Sequence, residues 1–213
     1  STASEHIPRP DLLKPLEAIY DESLRRGYYG HMPDTLYSHY VMQRHWEKAR
    51  KLNKRFPREP RKLPAIVEPA DAPSDVPAVY TVSKDGRTLT YKQVDLTGPI
   101  IISAASPGCH FSLDAVKLIQ ADQKLAATFK EHAINVYSAA YGIDAEEIAQ
   151  INREGGFRYD VLYRGSGWKG FDFSLTPQFY FVKNGKIVST VGSGPKSDLI
   201  RDLAEGIAKI GLK

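Results

Sequence analysis

Ile100-Ile101-Ile102-Ser103-Ala104-Ala105-Ser106-Pro107-Gly108-Cys109-His110-Phe111-Ser112-Leu113-Asp114-Ala115 is the stretch that decides how the chain is read. It opens on an apolar run that predicts a buried strand. Pro107 and Gly108 break that run. Past Cys109 the apolar period changes. Phe111, Leu118 and Leu125 recur every seven residues, and Ala115, Ile119, Ala126 and Phe129 widen the stripe, which predicts a helix to about Glu131. The only cysteine of the chain therefore sits on a strand-to-helix turn, at the first turn of a helix. Free backbone N–H groups and the helix dipole favour a thiolate there. A lone cysteine is commonly an inert buried residue. Pro107, Gly108 and the polar His110 around it argue instead for an exposed turn with a chemical role.

Working outward, 213 residues suffice for one domain with a real core and an appendage. No run approaches the roughly 18 apolar residues of a membrane span, so no integral membrane segment is expected. The sequence opens at Ser1 with no charged-then-apolar leader visible in it, as a processed form would, and Ser-Thr-Ala-Ser at 1–4 would suit a flexible mature N-terminus. One cysteine excludes an internal disulfide and leaves the compartment open. The six histidines are scattered. His39 and His45, six apart, fall on different helix faces, so no metal site is expected. The net charge of +4 is uneven: residues 1–62 hold 13 Lys+Arg against 8 Asp+Glu, and the remainder 16 against 17. The basic run Arg44 to Lys62 reads as a solvated helix face and linker, and no nucleic-acid motif accompanies it.

In chain order, Asp11 caps a helix with Leu12, Leu16, Ile19, Tyr20 and Leu24 on one face, ended by Gly27, Gly30 and Pro33. Asp34 caps a second, from Thr35 to about Phe56, with Leu36, Tyr40, Met42 or Gln43, Trp46 and Leu52 inward. Residues 1–56 thus form a helical hairpin. Six prolines in 57–77 predict a semi-rigid linker, which places the main domain at 78–213. There Val79–Val82 and Thr88–Tyr91 flank an Asp85-Gly86 turn. After the Cys109 helix come a strand at Ala133–Ala139, a helix capped by Asp144 and stopped by Gly155-Gly156, a strand at Phe157–Tyr163, and a Gly-rich loop with Trp168. Leu175-Thr176-Pro177 then opens a strand, Asn184-Gly185 turns it, a second strand follows, and Gly192 and Gly194 precede a last helix from about Ser197 to Ile210. This order predicts an α/β domain: a mixed central sheet flanked by helices on both faces, with an N-terminal helical extension.

Two motifs resemble the thioredoxin superfamily: strand, cysteine turn and helix over Ile100–Ile119, and Leu-Thr-Pro, strand, Asn-Gly, strand over Leu175–Val188. They fall in the family's order, and the resemblance spans about residues 78–211. It implies a thioredoxin-like fold with Pro177 cis beside Cys109, shaping a groove for an extended substrate. The longer segment Tyr137–Ser174 is similar to the TlpA-type extracytoplasmic branch. Hairpin, Pro-rich linker and thioredoxin domain together resemble TraF-type conjugative-transfer proteins. That implies a periplasmic location and a secretion-machinery partner for the N-terminal helices. The departure is Cys109-His110-Phe111-Ser112, where the family has Cys-x-x-Cys. Whether Ser112 is natural or replaces a resolving cysteine stays open.

The leading expectation is a monothiol thiol–disulfide exchange protein without cofactor, acting on protein thiols and disulfides. Cys109 is its nucleophile, aided by protonated His110 and a hydrogen bond from Ser112, with Phe111, Thr176 and Pro177 lining the substrate groove. A redox-inactive scaffold of a type IV secretion or conjugation apparatus is the alternative. A glutathione-dependent iron–sulfur carrier is a third reading, because Cys-His-Phe-Ser lies one residue from the Cys-Gly-Phe-Ser of monothiol glutaredoxins. The Pro-x-x-x-Thr-x-x-Cys arrangement of one-cysteine peroxidases is absent.

Overall fold

The computed structural model describes residues 10–28, 30–56, 63–139, 142–192 and 196–212. The chain divides into two compact units, Ser1–Leu63 with Ala139–Asp144, and Pro64–Ser138 with Ala145–Lys213.

Among its described residues the first unit holds three helices where two were expected: α1 (Pro10–Arg25), α2 (Met32–Met42) and α3 (Trp46–Arg55). The expected helix from Thr35 breaks at Arg44, whose φ is +62°. Its N–H donates to the Val41 carbonyl at 3.1 Å, and the His45 N–H donates to that of Tyr40 at 2.8 Å. This is the paired closure of a left-handed helix stop. The Arg44 Nη1 adds a bond to the Val41 carbonyl at 2.8 Å, and its guanidinium lies 5.4 Å from the Trp46 ring centroid. A long cationic side chain thus stops the helix where glycine usually would. The inward face of α1 is also rotated from the expected one: Leu13 and Tyr20 are buried while Leu12 and Ile19 are exposed. Glu17 explains the rotation. Its Oε1 accepts from the Tyr40 hydroxyl at 2.8 Å and from Lys48 Nζ at 2.7 Å, which ties α1 to α2 and α3.

The second unit is a mixed sheet of eight strands flanked by helices. Its strands are β1 (Ala65–Val67), β2 (Ala78–Val82), β3 (Thr88–Gln93), β4 (Ile100–Ala104), β5 (Ala133–Tyr137), β6 (Tyr159–Leu162), β7 (Gln178–Lys183) and β8 (Lys186–Val191). Its helices are α4 (His110–Ala121), α5 (Gln123–His132), α6 (Ala145–Glu154) and α7 (Lys196–Ile210). The strand order is β1-β3-β2-β6-β5-β4-β7-β8. Part of the expected linker is sheet: β1 runs parallel to β3 at the edge, while 57–62 lie outside the described residues, as does Gly194. Both hairpins form at their predicted turns, β2–β3 over Asp85-Gly86 and β7–β8 over Asn184-Gly185. Asn184 and Gly185 take φ of +52° and +71°, the geometry that two-residue hairpin turns require.

β4 lies inside the sheet, parallel to β5 and antiparallel to β7. Directly paired residues share a face, so Tyr159, Asn135, Ser103 and Phe179 form one row across β6, β5, β4 and β7. Phe129 of α5 packs edge-on against Phe179 at 5.7 Å, which identifies this as a helix-covered face. On the same face a Cβ built on Gly206 of α7 would lie 2.3 Å from the Phe181 ring, so the helix seats there because the residue is glycine. The opposite face is closed by Trp168, Phe171 and Phe173 of the 163–177 loop, packed on Ile102, Val136, Tyr180 and Val182.

The single helix expected from Cys109 to Glu131 is two. Asp122, with extended backbone, ends α4 and caps α5 by accepting from the Lys124 and Leu125 N–H groups at 3.0 Å. The buried face of α4 is Ser112, Ala115 and Ile119. Phe111, which belongs to the apolar stripe read from the sequence and was also expected to line a groove, is 56% exposed. It lies about 100° round the helix from Ser112.

Candidate functional site

The site is built at the carboxyl end of β4. Cys109 is the N-cap of α4, with φ −95° and ψ 117°, and its side chain makes no capping hydrogen bond. A turn leads into it, the Cys109 N–H donating to the Ser106 carbonyl at 3.1 Å. Ser112, 1% exposed, folds back beneath this turn, and its Oγ accepts from the Ser106 N–H at 3.3 Å. The sequence therefore brings Cys109 and Ser112 together through one helical turn.

The other wall comes from the loop before β7. The Thr176–Pro177 peptide bond is cis, and the Cys109 thiol donates to the Thr176 carbonyl at 3.7 Å. Two residues hold that loop in place. The Tyr180 hydroxyl accepts from the Asp172 N–H at 2.7 Å and donates to the Asp172 carbonyl at 2.8 Å. The Asp172 carboxylate accepts from the Ser174 N–H and hydroxyl at 2.8 and 2.6 Å. Farther back, Trp168 Nε1 donates to the Ala78 carbonyl at 3.1 Å and pins the loop to β2.

Burial pushes the Cys109 thiol up. Hydrogen bonds from the Ser112 N–H, the Thr176 side chain, the Ser112 hydroxyl and the Phe111 N–H outweigh it, so the thiol titrates below its ordinary value. The first helical turn thus favours the thiolate over the thiol. The two ends of Thr176 oppose each other: its carbonyl holds the thiol proton, and its side chain favours the thiolate.

Of the six residues picked from sequence, Cys109 and Thr176 meet here, Ser112 is buried one helical turn on, Pro177 is buried beyond the cis bond, and Phe111 is exposed in the first turn of α4. His110 stands at the rim, exposed, with its ring 3.9 Å from that of Phe111. Three residues had not been singled out. Leu113 and Leu175 are 40% and 52% exposed beside the cysteine turn and the cis bond; an apolar residue next to each motif was their only signal. The third is Tyr159, 2% exposed, whose hydroxyl has no hydrogen-bond partner among the described residues. Burial first, and then the charge of Cys109, push its phenol up to about 12. Only strand register relates it to the site. Among the described residues no group of three or more His, Cys, Asp or Glu could hold a metal ion. No described helix is long and apolar enough to cross a membrane.

No protein-family model matches the chain, and no curated protein matches it. Among solved structures, the crystal structure of the C-terminal domain of an uncharacterized protein from Bacteroides fragilis NCTC 9343 is similar at 10% identity. It covers 61% of this chain and 96% of that chain at a TM-score of 0.40, a likeness too slight to bear on fold family or function.

Proposed function

We propose that the chain is a thioredoxin-like thiol–disulfide exchange protein that works through the single sulfur of Cys109. The fold reading is supported by β4 between a parallel and an antiparallel neighbour and by the closing hairpin and helix, β7, β8 and α7. The observation that carries the function is the 3.7 Å approach of Sγ to the Thr176 carbonyl, directly before a cis proline. It sets the sulfur against the half-buried backbone of Thr176, with Phe111 and Leu175 offering exposed apolar surface nearby in the chain.

The Cys109 thiolate attacks one sulfur of a substrate disulfide R–S–S–R′. A Cys109–S–S–R bond forms, the S–S bond of the substrate breaks, and R′–S⁻ leaves and takes a proton from water. The chain has no second cysteine, so a thiol from another molecule attacks the mixed disulfide and returns Cys109 as thiolate. Ser112 and the first-turn N–H groups stabilise Cys109 both as attacking and as departing sulfur. The proposal includes a periplasmic location, where substrate disulfides persist. The test is the rate of Cys109 alkylation by iodoacetamide against pH. A midpoint below the ordinary thiol value of about 8.5 is expected; a midpoint at or above it removes the chemical basis.

Exposed Leu12 and Ile19 on α1 favour a second reading, in which the helical unit docks on a secretion or conjugation partner and the thiol is incidental. An unacidified Cys109 would select it.

A further inference from the structure

The solvent face of α3 is almost wholly cationic. Ala49 and Leu52 are buried, while Lys48, Lys51, Lys54 and Arg55 are exposed. Two cations of this helix are committed, Lys48 Nζ to Glu17 Oε1 at 2.7 Å and Arg50 Nη1 to Glu47 Oε1 at 2.7 Å. Lys51, Lys54 and Arg55 have no ion-pair partner among the described residues. Spaced i, i+3 and i+4, they form one patch. Lys51 lies about 160° round the helix from Ala49, so the patch is the face farthest from the core. α1 of the same unit carries a strip of another kind. Leu12, Pro15 and Ile19, at i, i+3 and i+7, share a face and are all exposed, Leu12 by 39% and Ile19 by 53%. The two helices meet. Besides the Glu17–Lys48 pair, Tyr20 packs edge-on against Phe56 with ring centroids 6.1 Å apart. Ile19 and Arg55 are each the chain neighbour of one of those rings, so the last residue of the strip and the last of the patch come to one junction.

We propose that this helical unit docks on an anionic lipid bilayer, with Lys51, Lys54 and Arg55 on the headgroup charges and Leu12, Pro15 and Ile19 in the layer between headgroups and acyl chains. Charge complementarity selects an anionic partner for three uncompensated cations. The apolar strip then distinguishes among anionic partners: it gains from an acyl boundary and gains nothing from a nucleic-acid backbone, whose contacts are made to phosphates. Lysine is depleted in protein interfaces, whereas lysine ammonium groups on flexible stems meet a fluid layer of headgroups with no fixed geometry to satisfy. The surface holds the chain at a membrane rather than in it, since no described helix is long and apolar enough to cross one. It takes for a bilayer the strip that the scaffold reading gives to a protein, and it is independent of the chemistry at Cys109.

The test is co-sedimentation of the full chain with vesicles of phosphatidylcholine and phosphatidylglycerol, beside vesicles of phosphatidylcholine alone. Binding to the mixed vesicles only is expected, and it should weaken as salt is raised. These two arms need no variant. Each cation near an anionic surface contributes about a fivefold factor, so the chain carrying Lys51→Gln, Lys54→Gln and Arg55→Gln together should bind roughly a hundredfold more weakly. Leu12→Ser with Ile19→Ser should weaken binding about tenfold and leave its salt dependence in place. All of these side chains are exposed, and the melting temperature of each variant confirms that it is folded. Binding to neither vesicle, equal binding to both, or a triple variant that binds as wild type overturns the proposal. So does tighter binding to a duplex oligonucleotide than to the mixed vesicles, which would make the patch a phosphate-backbone site. Unchanged binding after Leu12→Ser with Ile19→Ser overturns it too, and leaves the strip to a protein.

Discussion

Ser112→Ala separates the two duties of one buried hydroxyl. Its oxygen accepts from the Ser106 N–H at 3.3 Å, and its hydroxyl is one of the groups that hold the Cys109 thiol below its ordinary value. Alanine adds no volume, so packing is preserved and only the two bonds go. Ser106 is half-buried, so its freed N–H partly reaches water and the cost falls at the low end, about 1 kcal/mol. For a chain of this size that lowers the melting temperature by about 2–4 °C. A hydrogen bond to an ionised group contributes about 1.5 kcal/mol or more, and the other groups that lower the thiol remain. About tenfold less thiolate below the midpoint is expected. The sign also fixes a pH signature. The folded thiol is more acidic than the unfolded one, so between the two values the folded state binds fewer protons and stability rises with pH. That contribution is fully present above the unfolded value of about 8.5 and is lost as pH falls through the folded value. Ser112→Ala shrinks it, so the gap between wild-type and variant melting temperatures should be wider at pH 9.5 than at pH 5. Alkylation profiles and melts at both pH values read the two effects. An unmoved midpoint, or a gap independent of pH, would refute the assignment of Ser112 to the sulfur.

Gly206→Ala would gain about 1 kcal/mol in a free helix, but here its Cβ meets the fully buried Phe181 ring at 2.3 Å. A net loss of about 1–2 kcal/mol is expected from overpacking, read as a lower melting temperature; a stabilised variant would show that α7 does not seat as described. Burial raises the Asp160 carboxyl, with Arg158 and Lys92 opposing. Its folded state therefore holds the proton better, and stability is lost as pH rises from about 4. Asp160→Asn should melt higher than wild type at pH 7 and lose that advantage at pH 3.5, whereas a variant that melts lower at pH 7 would mean that the Arg158 pair outweighs burial. Tyr180→Phe cuts both hydrogen bonds to the Asp172 backbone. It should slow disulfide exchange at Cys109 severalfold while leaving the alkylation midpoint in place, and equal exchange rates would separate loop position from function.

Elements announced by backbone chemistry were legible in the sequence. Asn184-Gly185 and Asp85-Gly86 turn as such pairs do, the Ile100 run is a buried strand, and of the last helix's apolar residues expected inward Leu199, Leu203, Ile207 and Ile210 are buried while Ile200 is half-buried. The cis bond before Pro177 and its meeting with Cys109 fit the motif pair that marked them. Failures have a common origin in tertiary contacts that leave no local mark. Arg44 stops a helix through its own side chain and a left-handed backbone, where only glycine or proline was sought. Asp122 restarts a helix in the middle of a continuous apolar period, and within α4 Phe111 lies off the buried face of Ser112, Ala115 and Ile119. β1 hides among prolines because an edge strand tolerates them on either side. Tyr159 is separated from Cys109 by fifty residues, and only the pairing of Ser103 with Asn135 and of Asn135 with Tyr159 reveals the row.

The central claim, exchange through an activated Cys109, is tested most directly by offering the reduced chain a peptide containing one disulfide at pH 6.5. Released thiol and the mass of the chain are followed together. The account predicts one thiol released per chain, a mixed disulfide mapped to Cys109, and a rate above that of free cysteine at the same pH. A rate equal to or below that of free cysteine would contradict it.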